Sequence, residues 1–285
     1  MSTIYHAYAP FYDGSGQIRF AVLMAHYLDE LLQHHPVNGR RALDLACGTG
    51  TLALLLADKG WHVVGVDQSE PMLALARDKA TALVAAGTAS FVQGDIRSFA
   101  SVVPCSLSVV RGQQPIVPTD SVSAFGSNNE QPTTDNKQFD LATCTYDSLN
   151  YLLNEADLAA CFAQVAAALA PGGLFVADMN TRHFLEHDWD AASVVEGRGM
   201  IEVQQSYFDP ATECSTLLLS GFVGDDDHGY ARFDETHIER AYSPDTVARL
   251  LDGASLRVEA AYDCFTLLPH YERSQRIAWI ARKQD

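Results

Sequence analysis

Apolar side chains at Phe20, Leu23, Met24, Tyr27, Leu28, Leu31 and Leu32 recur at three- and four-residue spacing, which predicts a helix over 17–35 that Pro36 and Gly39 stop. The pattern then changes to short, nearly continuous apolar runs, as expected of strands buried on both faces. Residues 41–46 form the first run, Val63 to Val66 the second and Ser90 to Gln93 the third. Between them, Thr51 to Lys59 and roughly 70–86 have helical composition. Gly60 closes the first helix, while Ser69 as N-cap and Pro71 open the second. The alternation resumes with a strand over Phe139 to Thr145, a helix over about 155–170, a break at Pro171-Gly172-Gly173 and a strand over Leu174 to Met179. A helix near 244–252 and strands over Leu256 to Phe265 and Arg276 to Arg282 complete it. This order predicts an α/β fold with a mostly parallel sheet covered by helices on both faces.

Two segments break the rhythm. Residues 101–138 are rich in Ser, Pro, Gln, Asn and Thr and read as a flexible insertion. Residues 194–241 alternate with a period of two, through Ile201, Val203, Gln205 and Tyr207 and again from Thr216 to Val223, with a turn at Asp225 to Gly229. They predict a small antiparallel β cap inserted after the fifth strand. The expected organisation is an N-terminal helical lid over 1–38, a central domain of 39–181 joined to 242–285, and a cap over 182–241.

Charge narrows the partners. The 36 acidic residues outnumber the 19 basic ones, for a formal charge of -17, which repels phosphate backbones and anionic membranes. A nucleic-acid or membrane partner is therefore not expected, although the acidity serves solubility as well. The six cysteines, from Cys47 to Cys264, show neither C-x-x-C pairing nor zinc spacing, so no metal is expected and a reducing compartment is. No basic segment followed by an apolar one opens the sequence, so no signal peptide is expected and a cytoplasmic location is. A monomer and a homodimer are both compatible with the sequence.

The chemistry concentrates at strand ends. In Leu43-Asp44-Leu45-Ala46-Cys47-Gly48-Thr49-Gly50, two glycines in a strand-to-helix turn let a ligand lie against bare backbone, facing the free N–H groups of the next helix. A third glycine, which the dinucleotide fingerprint requires, is missing. Asp67 closes the second strand, where an acidic side chain can accept from both ribose hydroxyls. Asp95 closes the third, where a carboxylate can accept from an adenine amino group with Ile96 against the ring. Seen singly, each is an ordinary turn aspartate.

Together with Val66-Asp67-Gln68-Ser69, Gly94-Asp95-Ile96, Phe139-Asp140 and Leu169-x-Pro171-Gly172-Gly173, the turn resembles the ordered motifs of class I S-adenosylmethionine (SAM)-dependent methyltransferases over most of residues 40–180. The resemblance implies a Rossmann-like seven-stranded sheet whose last strand runs antiparallel. It assigns cofactor contacts to Tyr12, Asp44, Ala46, Gly48, Gly50, Asp67, Gln68, Met72, Asp95, Ile96 and Thr145, with Gly48 and Gly50 flanking the methionine moiety. The aromatic segment Tyr8 to Asp13 and the late β-rich insertion are similar in layout to bacterial small-molecule methyltransferases, amino-sugar N-methyltransferases among them. The acceptor implied is a nitrogen or oxygen of a small molecule.

Two residues are candidates for the acceptor chemistry. Asp147, in Thr145 to Tyr151 after the fourth strand, can bind an amine or take its proton, or be a loop carboxylate bonded to backbone N–H groups. His183, just beyond the fifth strand, can face a substrate or sit solvated in its loop. His237 in the cap reads as structural more readily than catalytic. Tyr5, Tyr8 and Tyr12 form either a lid or a packing seam. Arg198, Arg232 and Arg240 are anion-binding candidates or plain surface arginines. Cys105 after Pro104 superficially matches a cytosine-methyltransferase nucleophile. Two alternatives remain at this level: an NAD-dependent oxidoreductase, sharing the glycine turn and Asp67, and a non-catalytic SAM-binding protein.

Overall fold

The computed structural model describes residues 4–82, 85–103, 138–189, 191–197, 200–225 and 227–284. Most of the 101–138 insertion, with Cys105, and also Arg198 lie outside the described residues. A short helix, α1 (Ala9–Tyr12), precedes the long α2 (Ile18–His34). Then come β1 (Arg41–Leu45), α3 (Thr51–Asp58), β2 (His62–Asp67), α4 (Glu70–Thr81), β3 (Thr88–Gln93), β4 (Phe139–Cys144), α5 (Glu155–Ala168) and β5 (Leu169–Asn180). Four strands follow in succession: β6 (Ala192–Gly197), β7 (Met200–Asp209), β8 (Cys214–Asp225) and β9 (Gly229–Arg240). The last elements are α6 (Pro244–Gly253), β10 (Leu256–Asp263) and β11 (Arg276–Lys283).

Seven strands form one sheet in the order β10-β11-β5-β4-β1-β2-β3. All neighbours pair in parallel except β11, which runs antiparallel to both β5 and β10. This is the Rossmann-like sheet that the resemblance implied. Period-two alternation explains the core even in strands apolar throughout. Leu43 and Leu45 face one side, with Phe162 and Val165 of α5. Ala42 faces the other, with Met24, Leu28 and Leu31 of α2 and Leu52 and Leu56 of α3. The order reverses between β1 and β4, and in such sheets ligands bind beyond the strand C-termini at that reversal.

β6 to β9 form a separate antiparallel sheet, each strand paired with the next. Two of its strands meet the remainder of the chain through polar contacts. Glu202 of β7 accepts from Tyr8 Oη at 2.9 Å, and Glu239 of β9 accepts from Asn180 Nδ2 at 2.8 Å. Asn150 locks the same corner, donating to the carbonyls of both Asn180 and Arg240.

The differences from expectation have local causes. The helix expected over 70–86 stops at Thr81. Ser69 occupies its N-cap, but its side chain makes no cap bond; the cap's own N–H donates instead to Asp67 Oδ1 at 2.8 Å. Pro171-Gly172-Gly173 does not separate helix from strand. β5 begins earlier, at Leu169, and passes through these residues with a register shift against β4, Gly172 taking a φ of +73°. β10 ends at Asp263 rather than Phe265, because Phe265 turns into the left-handed region at φ +67°.

Candidate active site

The turn after β1 is held by the strand beside it. Asp67 Oδ2 accepts the Gly48 backbone N–H at 2.8 Å while Oδ1 accepts that of Ser69. One carboxylate thus fixes both the glycine turn and the start of α4. Burial raises the Asp67 carboxyl, and the backbone N–H donors pull it back. The two glycines serve different ends. Gly48 has φ +54° and open space where a Cβ would stand, so it presents bare backbone. Gly50, at φ +73°, faces inward, where a Cβ would lie 2.6 Å from the Phe91 ring. Gly50 therefore packs the turn onto β3 instead of lining a cavity. Ala46 also adopts a left-handed conformation at φ +52°, which a side chain tolerates only where the surroundings impose it.

Two cavities open from this turn, and the larger is about 330 Å³. Its floor includes Ala46, Gly48, Asp67, Gln68 and Met72, and its far wall Asp95 and Ile96. The smaller one is lined by Asp44, Ala46, Gly48 and Thr145, with Tyr12. Asp44 is the buried group of this part. Thr143 Oγ1 donates to its Oδ1 at 2.7 Å, while Oδ2 has no hydrogen-bond partner. Burial pushes its carboxyl up to about 7. Ser69 Oγ, on the larger cavity, is likewise buried without a partner. Asp95 differs from Asp67 and Asp44. Arg97 grips both its oxygens, at 2.9 and 2.6 Å, and holds it below the usual carboxylate range.

The N-terminal segment closes over these cavities. Its backbone N–H groups at Tyr5, Ala7 and Tyr8 all donate to the buried carboxylate of Glu235, on β9. Farther along, Asp13 pairs with Lys79 at 2.8 Å and accepts from Thr49 at 2.6 Å, tying the segment to the glycine turn. The tyrosine rings of 5, 8 and 12 pack on one another at 5.7–6.4 Å. Tyr5 and Tyr12 also line the larger cavity, so they join the packing seam to a covering role.

A third cavity, about 180 Å³, shares Tyr5, Tyr12, Tyr146 and Tyr151 with the first and is lined also by residues of β7, β8 and β9. Asp147, Glu202, Glu239, His237 and Arg276 line it. Tyr146 and Asp147 are both left-handed, at φ 60° and 52°. Their N–H groups donate to the two oxygens of Asp178, which is wholly buried. Arg276 on β11 bridges Asp178 and Asp147, lying 2.7 Å from the Asp147 Oδ1, and its guanidinium covers the Phe20 ring at 4.8 Å. Burial works against the Arg276 charge, but the two carboxylates outweigh it and raise its pKa. Burial, then the charge of Asp147, raises the Glu239 carboxyl well above its ordinary range.

The other candidates lie elsewhere. His183 lines a separate cavity of about 380 Å³ and pairs with Asp188 at 3.4 Å. The structure does not bring it to the cavity that Asp147 lines. Arg232 is exposed and pairs with Asp234, and Arg240 donates to the Leu153 carbonyl. Five site residues were missed in the sequence: Glu202, Glu235, Glu239, Asp178 and Arg276. The spacing Glu235-x-His237-x-Glu239 puts three titratable groups on one strand face and was the available signal. Among the described residues, no group of His, Cys, Asp or Glu is arranged to hold a metal, and no helix is long and apolar enough to cross a membrane.

A family model for a methyltransferase domain matches residues 17–261. The chain belongs to that family and is a methyltransferase. It shares 30% identity over 255 residues, 89% of each chain, with a protein of Geobacillus sp. (strain WCH70) that carries a methyltransferase designation. It is 25% identical over 235 residues, 81% of this chain and 76% of the other, to the dTDP-3-amino-3,6-dideoxy-alpha-D-glucopyranose N,N-dimethyltransferase of Streptomyces fradiae. The fold is shared with a SAM-dependent methyltransferase from Clostridium acetobutylicum, with a TM-score of 0.74 at 24% identity and 99% of both chains covered. It is shared also with the SAM-bound amino pentose methyltransferase CalS10 from Micromonospora echinaspora, with a TM-score of 0.60 at 19% identity over 92% of this chain and 90% of that one. Family membership sets aside the oxidoreductase and the non-catalytic binder.

Proposed function

We propose that the enzyme transfers a methyl group from SAM to a nitrogen or oxygen of a small molecule by in-line displacement. The observation that carries this reading is the adjacency of two cavities: the one lined by Gly48 and Asp67 shares Tyr5, Tyr12, Tyr146 and Tyr151 with the one lined by Asp147. SAM supplies a methyl group already activated on a positive sulfur, so what is required of the chain is alignment and exclusion of water.

The residues present fit such a donor. Asp67 retains acceptor capacity for ribose hydroxyls beyond its two backbone donors. Asp44 Oδ2 and Ser69 Oγ are buried polar atoms without partners, and buried polar atoms ordinarily have them. In this reading Asp44 takes the ammonium of the methionine end. Ala46, Gly48 and Thr145 line the same end, with Tyr12 above. Gln68, Met72 and Ile96 enclose the nucleoside. Asp95 works through its Arg97 pair at the rim, and Gly50 supports the turn from behind. His183 has no part in this arrangement.

The acceptor enters the cavity that Asp147 lines. Titration of the protein with SAM and S-adenosylhomocysteine, followed by incubation of a metabolite extract with methyl-labelled SAM, tests the proposal. Binding of both nucleotides and label in a small product are expected. Label confined to macromolecules contradicts a small-molecule acceptor.

A further inference from the structure

The cavity that Asp147 lines holds more negative charge than its own cations balance. Glu202 is 1% exposed, and its partners, Tyr8 Oη and Gln204 Nε2, are both neutral. Glu239, 2% exposed and hydrogen-bonded by the neutral Asn180 amide, is pushed toward its neutral form by burial and by Asp147, so the excess charge rests on Glu202 and on the pair Asp147 and Asp178. Arg276 must serve Asp147 and Asp178 together. His237, 2% exposed on the same cavity, uses its Nδ1 toward Tyr151. Its Nε2 has no hydrogen-bond partner, although Glu235 Oε2 lies 3.3 Å away. Burying carboxylates beside neutral donors costs free energy that a cationic occupant would return. An anionic occupant would add to the cost. Fixed negative charge also stabilises positive charge that develops during reaction, provided it is in place beforehand.

Resting on the methyltransferase reading above, we propose that the acceptor is an amine, selected by the carboxylates of Glu202 and Asp147 against alcohols and carboxylic acids. The incoming ammonium gives one proton to Asp147, which frees the nitrogen lone pair. That pair forms the new nitrogen–carbon bond while the old carbon–sulfur pair stays on sulfur. Positive charge thus passes from sulfur to nitrogen, in front of Glu202. The product leaves as an alkylammonium, and Asp147 returns its proton to solvent. A carboxylate acceptor would meet Glu202 and Asp147 as like charges, and an alcohol would gain nothing from them.

The test uses three probes of one shape: cyclohexylamine, cyclohexanol and cyclohexanecarboxylate. Each is titrated calorimetrically at neutral pH into the full chain saturated with S-adenosylhomocysteine. The amine is expected to bind at least tenfold more tightly than the alcohol, and the carboxylate weakest of all. In Glu202→Gln the amine-to-alcohol ratio should fall at least fivefold, with S-adenosylhomocysteine affinity within twofold and a melting temperature equal to or above that of the parent. A ratio near one, a preference for the carboxylate, or no binding of the amine overturns the proposal. So does a Glu202→Gln protein that melts lower with its ratio unchanged, which would make Glu202 a structural anchor for Tyr8. If S-adenosylhomocysteine does not bind the parent, the donor reading fails instead.

Discussion

Asp67 Oδ2 accepts the Gly48 backbone N–H at 2.8 Å, so the carboxylate at the end of β2 shapes the turn that follows β1. A single residue therefore sets the loop and faces the cavity. Asp67→Ala removes the loop's tether and two charge-assisted acceptors, each worth roughly 1.5–3 kcal/mol. SAM affinity should drop at least about tenfold, measured by calorimetry. An affinity unchanged by the substitution would mean that Asp67 does not face the nucleoside.

The glycines should separate. Gly50→Ala combines a left-handed φ with a Cβ 2.6 Å from Phe91 and 2.9 Å from Ala76. It should cost about 2 kcal/mol or more of stability. Gly48→Ala meets nothing within 4 Å, so only its left-handed φ should weigh on stability, by about 1 kcal/mol. Its larger effect should be on SAM affinity. Thermal melts beside SAM titrations of both variants separate the two roles; equal melting temperatures would contradict it.

Asp44 links stability to pH. Its carboxyl sits at about 7 in the fold against an ordinary 3.8. Between these values the folded state holds a proton that the unfolded chain has lost. The corresponding stabilisation is full below the ordinary value and is lost as pH rises through about 7, at up to about 1.4 kcal/mol per unit. Asp44→Asn should therefore raise the melting temperature near pH 8 and do so much less near pH 5. An ammonium at Asp44 Oδ2 would favour the ionised form, so SAM binding near pH 6.5 should release a proton from the parent and less from Asp44→Asn. Calorimetry in buffers of different ionisation enthalpy measures this; no difference in proton release would contradict it.

Arg276 is the sole cation bridging Asp147 and Asp178 among the described contacts. Arg276→Met leaves both carboxylates buried without it and should cost about 3–5 kcal/mol in denaturant unfolding. Adding Asp178→Asn should recover part of that loss. If the double variant is no more stable than the single, the coupling is not electrostatic.

Glu235 gathers the backbone N–H groups of Tyr5, Ala7 and Tyr8. Glu235→Ala should loosen the covering segment, seen as faster hydrogen exchange there and faster SAM dissociation. Unchanged exchange at residues 5–8 would contradict the latch.

The sheet was legible because apolar strands, Gly-rich turns and helix stops repeat in one order, and β1 to β4 form where those signals lie, while β5 starts ahead of its expected glycine break. The cavities proposed for the donor follow the same signals: strand ends bring Asp67 and Asp95 to one cavity and Asp44 to the cavity beside it. The acceptor side was not. An alternating strand is ordinarily read with its apolar face inward, whereas Glu202 and Gln204 of β7 and Glu235, His237 and Glu239 of β9 point their polar side inward. Arg276 was equally hidden, since pairing with Asp147 depends on the antiparallel insertion of β11 beside β5. His183 shows the converse: a strand-end position in sequence that the π-helical turn Phe184–Asp188 leads to a different cavity.

The central claim is that this chain binds SAM across the Gly48–Asp67 turn. Its most direct test is a calorimetric titration of the protein with SAM, S-adenosylhomocysteine and NAD, with Asp67→Ala alongside. The account predicts micromolar binding of both sulfur nucleotides, weakened at least about tenfold in the variant, and no heat from NAD. Silence toward both sulfur nucleotides, or binding that Asp67→Ala leaves untouched, would contradict it.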